Sequence, residues 1–142
     1  MKSKTFIIGF GVVVALIAVV SIYMAATVER ADKTIVTAPS PDGRFKAVRT
    51  TLARGGASPF CFDNIALLPA IYPDDFDEHK NAYEIYAAPC GRFASGAPSP
   101  KVEWLSASAL QITYAAAPDA KPPRTKDLDI TKTVTVTFVK RE

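Results

Sequence analysis

The residues best equipped for chemistry lie together in one short stretch, Asp74-Asp75-Phe76-Asp77-Glu78-His79. Hard cations such as calcium take about six to eight oxygen ligands, and carboxylates spaced along a loop supply several of them. Asp74, Asp75, Asp77, Glu78 and His79 are therefore the candidate metal ligands. A calcium loop of the EF-hand type counted from Asp75 fails, because Lys80 falls where the turn needs glycine and Tyr86 where it needs a chelating glutamate. The plainer expectation is a solvated acidic loop. His79 is also the one histidine in the chain. A hydrolytic triad would have to run through it, and no GxSxG elbow accompanies it. The chain is thus expected to be non-enzymatic and to need no cofactor.

Cys61 and Cys90 both follow a long apolar run, and an even cysteine count in an exported domain reads first as one disulfide. Their spacing, without a CxxC, is that of neither a zinc site nor a thioredoxin-like redox pair. Arg54-Gly55-Gly56-Ala57-Ser58 could turn backbone N–H groups toward an anion, but a flexible loop tip is the plainer expectation. Among the aromatic residues, Trp104 and Tyr114 alternate with polar neighbours as core residues do, whereas Tyr72 and Tyr86 are freer to be exposed. Arg54, Tyr72 and Tyr86 are the candidate partner-binding residues.

The element that would carry these groups to their place of work is Thr5–Val28, which has no charged residue and is long enough to cross a bilayer as a helix. Lys2 and Lys4 precede it and favour a cytoplasmic N-terminus. Its apolar core exceeds the usual signal-peptide length, small residues near its end are scarce, and no cysteine closes it for lipidation. An uncleaved signal anchor is expected, in the inner membrane of a bacterium, with the C-terminal domain facing the periplasm. Cleavage to a secreted or periplasmic form is the alternative. The expected organisation is an anchor over 1–28, a linker and first short strand over 29–38, and an exported domain over 39–142. Beyond the anchor the chain is almost charge-balanced, with 15 basic and 14 acidic side chains. That is no nucleic-acid footprint.

The exported part alternates like short strands. Pro39-Ser40-Pro41-Asp42-Gly43 is turn chemistry, and Phe45–Leu52 follows as a strand. Asn64–Leu68 is apolar on both faces, as a central strand would be. Tyr83–Ala87 is the next expected strand, after an irregular insertion over Ala70–Asn81. Val102 and Trp104, then Leu110, Ile112 and Tyr114, form the clearest hairpin. Ile130–Val139 closes the chain, with Val134, Val136 and Phe138 inward and the threonines outward. The fold expected is all-β, a small antiparallel β-sandwich or meander of about six strands behind one N-terminal transmembrane helix. Phe45, Val48, Ile65, Leu67 and Ile85 join the hairpin and last-strand residues in the expected core.

Two stretches carry a resemblance. Ser40-Pro41-Asp42-Gly43-Arg44-Phe45-Lys46-Ala47-Val48, and Val102-Glu103-Trp104-Leu105-Ser106 with Leu110-Gln111-Ile112-Thr113-Tyr114, resemble small exported or membrane-anchored bacterial proteins of unknown function. That group shares an SPDG-[RK]-[YF]-x-A-V opening and a V-x-W-L-S…L-x-I-x-Y hairpin. The resemblance implies a bacterial envelope setting and a small β fold, and no activity. The function expected is an anchored interaction module. It would touch the lipid bilayer through residues 5–28 and an unknown envelope protein through the loops Ala53–Phe62, Ala70–Lys80 and Gly91–Pro100. A metal-dependent module or enzyme on residues 74–79, and a structural assembly subunit, are the alternatives.

Overall fold

The computed structural model describes residues 14–22, 31–56, 58–76, 80–116 and 121–141. The chain divides into two compact units, Met1–Arg30 and Ala31–Glu142. In the first, residues 14–22 are helical (α1), and the Ser21 hydroxyl donates to the Ile17 carbonyl at 2.8 Å. No helix among the described residues is long and apolar enough to cross a membrane. Both ends of the expected 5–28 span lie outside those residues.

The second unit is built of strands. β1 (Asp32–Pro39), β2 (Phe45–Arg54), β3 (Phe60–Pro69) and β4 (Glu84–Pro89) run antiparallel in sequence order, and β9 (Arg124–Thr125) pairs on the far side of β4. β7 (Lys101–Ser106), β8 (Ala109–Ala115) and β10 (Thr135–Arg141) make a second sheet in the order β10-β8-β7. Between the two sets, β5 (Gly91–Arg92) and β6 (Pro98–Ser99) form a small hairpin. A single helical turn, α2 (Lys80–Tyr83), precedes β4. The predominance of strands is as expected, and the doubly apolar run Asn64–Leu68 does occupy the central strand, β3.

The turn between β1 and β2 shows why its residues are those. Gly43 has φ +70°, the left-handed region that costs a side chain but not glycine. Its N–H bonds the Ser40 carbonyl at 3.0 Å, and the Ser40 hydroxyl accepts the Phe45 N–H at 3.0 Å. The Asp42 carboxylate accepts hydrogen bonds from the Ser40 hydroxyl at 2.7 Å and the Arg44 Nε–H at 2.5 Å. These bonds from Ser40 and Arg44 hold its carboxyl down to about 2. Each position of the Ser-Pro-Asp-Gly-Arg-Phe stretch thus closes the turn or begins the strand after it.

The sheets depart from the expected pattern in three places. β10 runs parallel to β8, with Val136 opposite Leu110 and Phe138 opposite Ile112, so the second sheet is mixed rather than antiparallel. It also starts at Thr135 rather than Ile130. The reason is Asp129, whose carboxylate collects the N–H groups of Thr131, Thr133 and Val134 at 2.7–2.9 Å and folds that stretch into a turn. β1 pairs with β2 along its whole length, from Asp32–Ala53 to Pro39–Lys46, where a linker and short strand were expected. As an edge strand it buries little, so its alternation is weak. β4 begins one residue later than expected, after the α2 turn.

Both sheets contribute to one core. Phe45, Ala47, Ile65, Leu67 and Ile85 meet Leu110, Ile112, Val134 and Val136, all buried. Fully burying each large aliphatic side chain is worth about 1.5–3 kcal/mol. Val102, Trp104, Tyr114 and Phe138 are only partly buried and pack at its margin. Trp104 sits there because its indole N–H donates to the Ala38 carbonyl at 2.9 Å, from one sheet to an edge of the other. Val48 is buried too, but on the opposite face of its sheet, beside Thr37 of β1. Residues 70–76 pass over that face, where Asp74 bonds both Thr37 and Lys46.

Candidate functional site

Alternation along β2 and β3 puts Arg49, Thr51 and Asp63 on the core side with Ala47 and Ile65. Asp63 has no exposed surface. Its carboxylate accepts Arg49 Nε–H and Nη2–H, both at 2.9 Å, and the Thr51 hydroxyl at 2.6 Å. The other guanidinium protons reach the Pro100 and Ser99 carbonyls at 3.0 Å each. The Ser99 hydroxyl in turn accepts the Ala115 N–H at 2.8 Å. A polar spine therefore runs from the five-stranded sheet through β6 to β8. Every charge in it is met, which is the condition for burying one.

Beside this spine a cleft of about 270 Å³ opens where β4 and β5 meet β8. Tyr86, Tyr114 and Ser99 form part of its wall, and Pro122 and Pro123 part of another. Arg92, Lys121 and Lys140 bring three cations to the lining, and no carboxylate of the described residues is among them. Tyr86 and Tyr114 lie with ring centroids 5.9 Å apart. Burial, and then the charge of Asp63, push the Tyr86 phenol up to about 12. Cys90 and Gly91 belong to the same rim. A second, more open groove of about 320 Å³ lies beneath the tip of the β5–β6 hairpin, where Lys101 and Glu103 pair with each other at 3.1 Å.

The disulfide is present: Cys61 and Cys90 are bonded, with Cα atoms 5.3 Å apart, and the Cys90 N–H also bonds the Cys61 carbonyl at 3.1 Å. It ties the start of β3 to the end of β4. Arg54 closes its own loop, donating to the Ser58 carbonyl at 3.3 Å and lying 5.3 Å from the Phe60 ring centre. Tyr72 is half-buried, stacked on Phe76 at 4.5 Å and edge-on to Tyr83. Tyr86, expected at the surface, is instead 3% exposed, because β4 carries it onto the core side.

Of the acidic stretch, Asp77, Glu78 and His79 lie outside the described residues. Asp74 is engaged by the Lys46 ammonium at 2.5 Å and the Thr37 hydroxyl at 2.8 Å, and these bonds lower its pKa. Asp75 is exposed. Among the described residues no three His, Cys, Asp or Glu side chains come together as a metal site.

The three loops expected to meet a partner do not share one surface. Ala53 pairs with Cys61 and Phe62 with Pro89, so the β2–β3 loop and the start of the Gly91–Pro100 hairpin lie at the disulfide end. Phe45 pairs with Pro69, so residues 70–76 leave from the opposite end. The cleft itself, with Arg92, Ser99, Lys121 and Lys140, was missed from sequence. It is assembled from five separated segments, and nothing local marks it. Comparison with protein-family profiles, with curated proteins and with solved structures finds no match.

Proposed function

We propose that this chain is a non-enzymatic interaction module of the bacterial envelope, a small β-sandwich held at the outer side of the cytoplasmic membrane by residues 5–28. The proposal places it beside the small exported proteins whose SPDG opening it resembles. The observation that carries the binding role is the disulfide end of the domain. There the Arg54–Phe60 loop, the start of the β5–β6 hairpin and the cation-lined cleft are collected around Cys61–Cys90. Loops fixed on a rigid β frame are where binding residues concentrate. A disulfide also suits an oxidising compartment.

The test uses the full chain in a bacterial envelope, with a photo-reactive side chain at Ser95 on the hairpin or at Ile71 at the opposite end. Both positions are exposed. A discrete protein adduct from Ser95 and none from Ile71 is expected. Equal labelling from both positions, or from neither, overturns the assignment.

A further inference from the structure

The domain is nearly charge-balanced, yet its cleft is not. Arg92, Lys121 and Lys140 reach it from β5, from the 121–123 segment and from β10, and among the described residues no carboxylate lines it. Neither Lys121 nor Lys140 has a hydrogen bond or ion pair with any residue of the described chain. Three cations facing one cleft make its potential positive, which favours an anion there. Arg92 is only partly used, with Nη1 donating to the Gly96 carbonyl at 3.1 Å.

The walls narrow the ligand further. Tyr114 offers ring surface and a phenolic O–H group, with the buried Tyr86 ring packed beside it, and Pro122 and Pro123 add apolar surface. A volume near 270 Å³ admits a small organic molecule and not a folded partner. Floor and mouth are fixed by the structure already described: Ser99 by Arg49 and Ala115, and Cys90 by its disulfide. Binding would therefore require little reordering.

We propose that this cleft binds a small organic anion, an acid group of carboxylate or phosphate type carried on an apolar ring. The acid group meets Lys121 and Lys140 and the ring lies against Tyr114 and the prolines. This deepens the interaction reading above by giving the binding end a ligand of its own.

The experiment is calorimetric titration of the full chain in detergent with benzoate, with phenyl phosphate and with uncharged benzyl alcohol. Saturable binding of at least one anion, weakened by salt and at least tenfold tighter than benzyl alcohol, is expected. A preference between the anions identifies the acid group. The variant Lys121→Glu with Lys140→Glu changes two exposed side chains and should weaken the anion at least tenfold while leaving the melting temperature in place. Anions that bind no better than benzyl alcohol, or a double variant that binds them as the parent does, overturn the proposal. If that happens while Ser95 still gives its adduct, the cleft alone is wrong. If anions bind and Ser95 gives none, the protein-partner reading alone is wrong.

Discussion

Arg49 grips Asp63 through two N–H···O bonds of equal length, 2.9 Å, between neighbouring strands and on the core side of the sheet. The geometry is that of a forked guanidinium on a carboxylate, the strongest arrangement such a pair adopts. Removing the cation leaves a fully buried carboxylate with Thr51 as its hydroxyl donor. Arg49→Met should therefore cost about 3–5 kcal/mol in urea unfolding. Asp63→Asn should cost less, because the Arg49 side chain keeps a fifth of its surface in water.

Acid should destabilise the domain through carboxylates that the fold holds ionised. Asp42 is lowered to about 2 and Asp74 is lowered by Lys46 and Thr37. At Asp129 burial works upward, but the bonds from Thr131 and from the Val134, Thr131 and Thr133 amides outweigh it, and the net shift is down. A group with a depressed folded pKa stabilises fully above its unfolded value and loses that contribution as pH falls through the folded one. Stability should hold from neutral pH to about 5 and decline from about 4 toward 2. In unfolding curves at pH 6, 4 and 2.5, the gap between the parent and Asp129→Asn should narrow with each step down.

Reducing Cys61–Cys90, or replacing both residues with serine, opens a loop whose ends lie 29 residues apart. The chain-entropy account gives a loss of about 3–4 kcal/mol. The domain should still fold, since its shared core does not depend on either cysteine. Denaturant midpoints with and without reductant measure the difference.

Gly43→Ala should cost about 1–2 kcal/mol although nothing lies within 4 Å of the added carbon, because the expense is the left-handed backbone. Gly43→Asn should cost less, since asparagine tolerates that region. Thermal melts of the two variants separate backbone strain from crowding.

Calcium should leave the melting temperature unchanged, and Asp74→Asn with Asp75→Asn should not alter that result. A calcium ion at Asp74 would have to displace the Lys46 ammonium already bound there. A calcium-dependent rise in the parent, absent from the variant, would contradict this.

The sequence carried its local information well. The Ser40–Gly43 turn, the central placement of Asn64–Leu68, the Val102–Tyr114 hairpin and the cysteine pair were all legible, because each depends on neighbours in the chain or on simple alternation. The parallel pairing of β10 was not, since strand direction is decided by where the crossover goes. Tyr86 was misplaced because β4 is buried on both faces and its period carries no information about side. The start of β10 was misjudged because Ile130 looks like a strand residue, while Asp129 turns the backbone there. The cleft was invisible for a further reason: its cations are ordinary surface residues in sequence, and only the fold brings them to one lining.

The path from β8 to β10 has a consequence for how the molecule comes apart. After β8 the chain leaves the three-stranded sheet, pairs as β9 with β4 and anchors Lys126 N–H on the Ile85 carbonyl, and then returns to lie beside β8. Neither sheet is whole without a strand delivered by way of the other. Amide protons in β4, β8 and β10 should consequently exchange with solvent in a single concerted opening, and no fragment ending before β9 could be excised as an autonomous half.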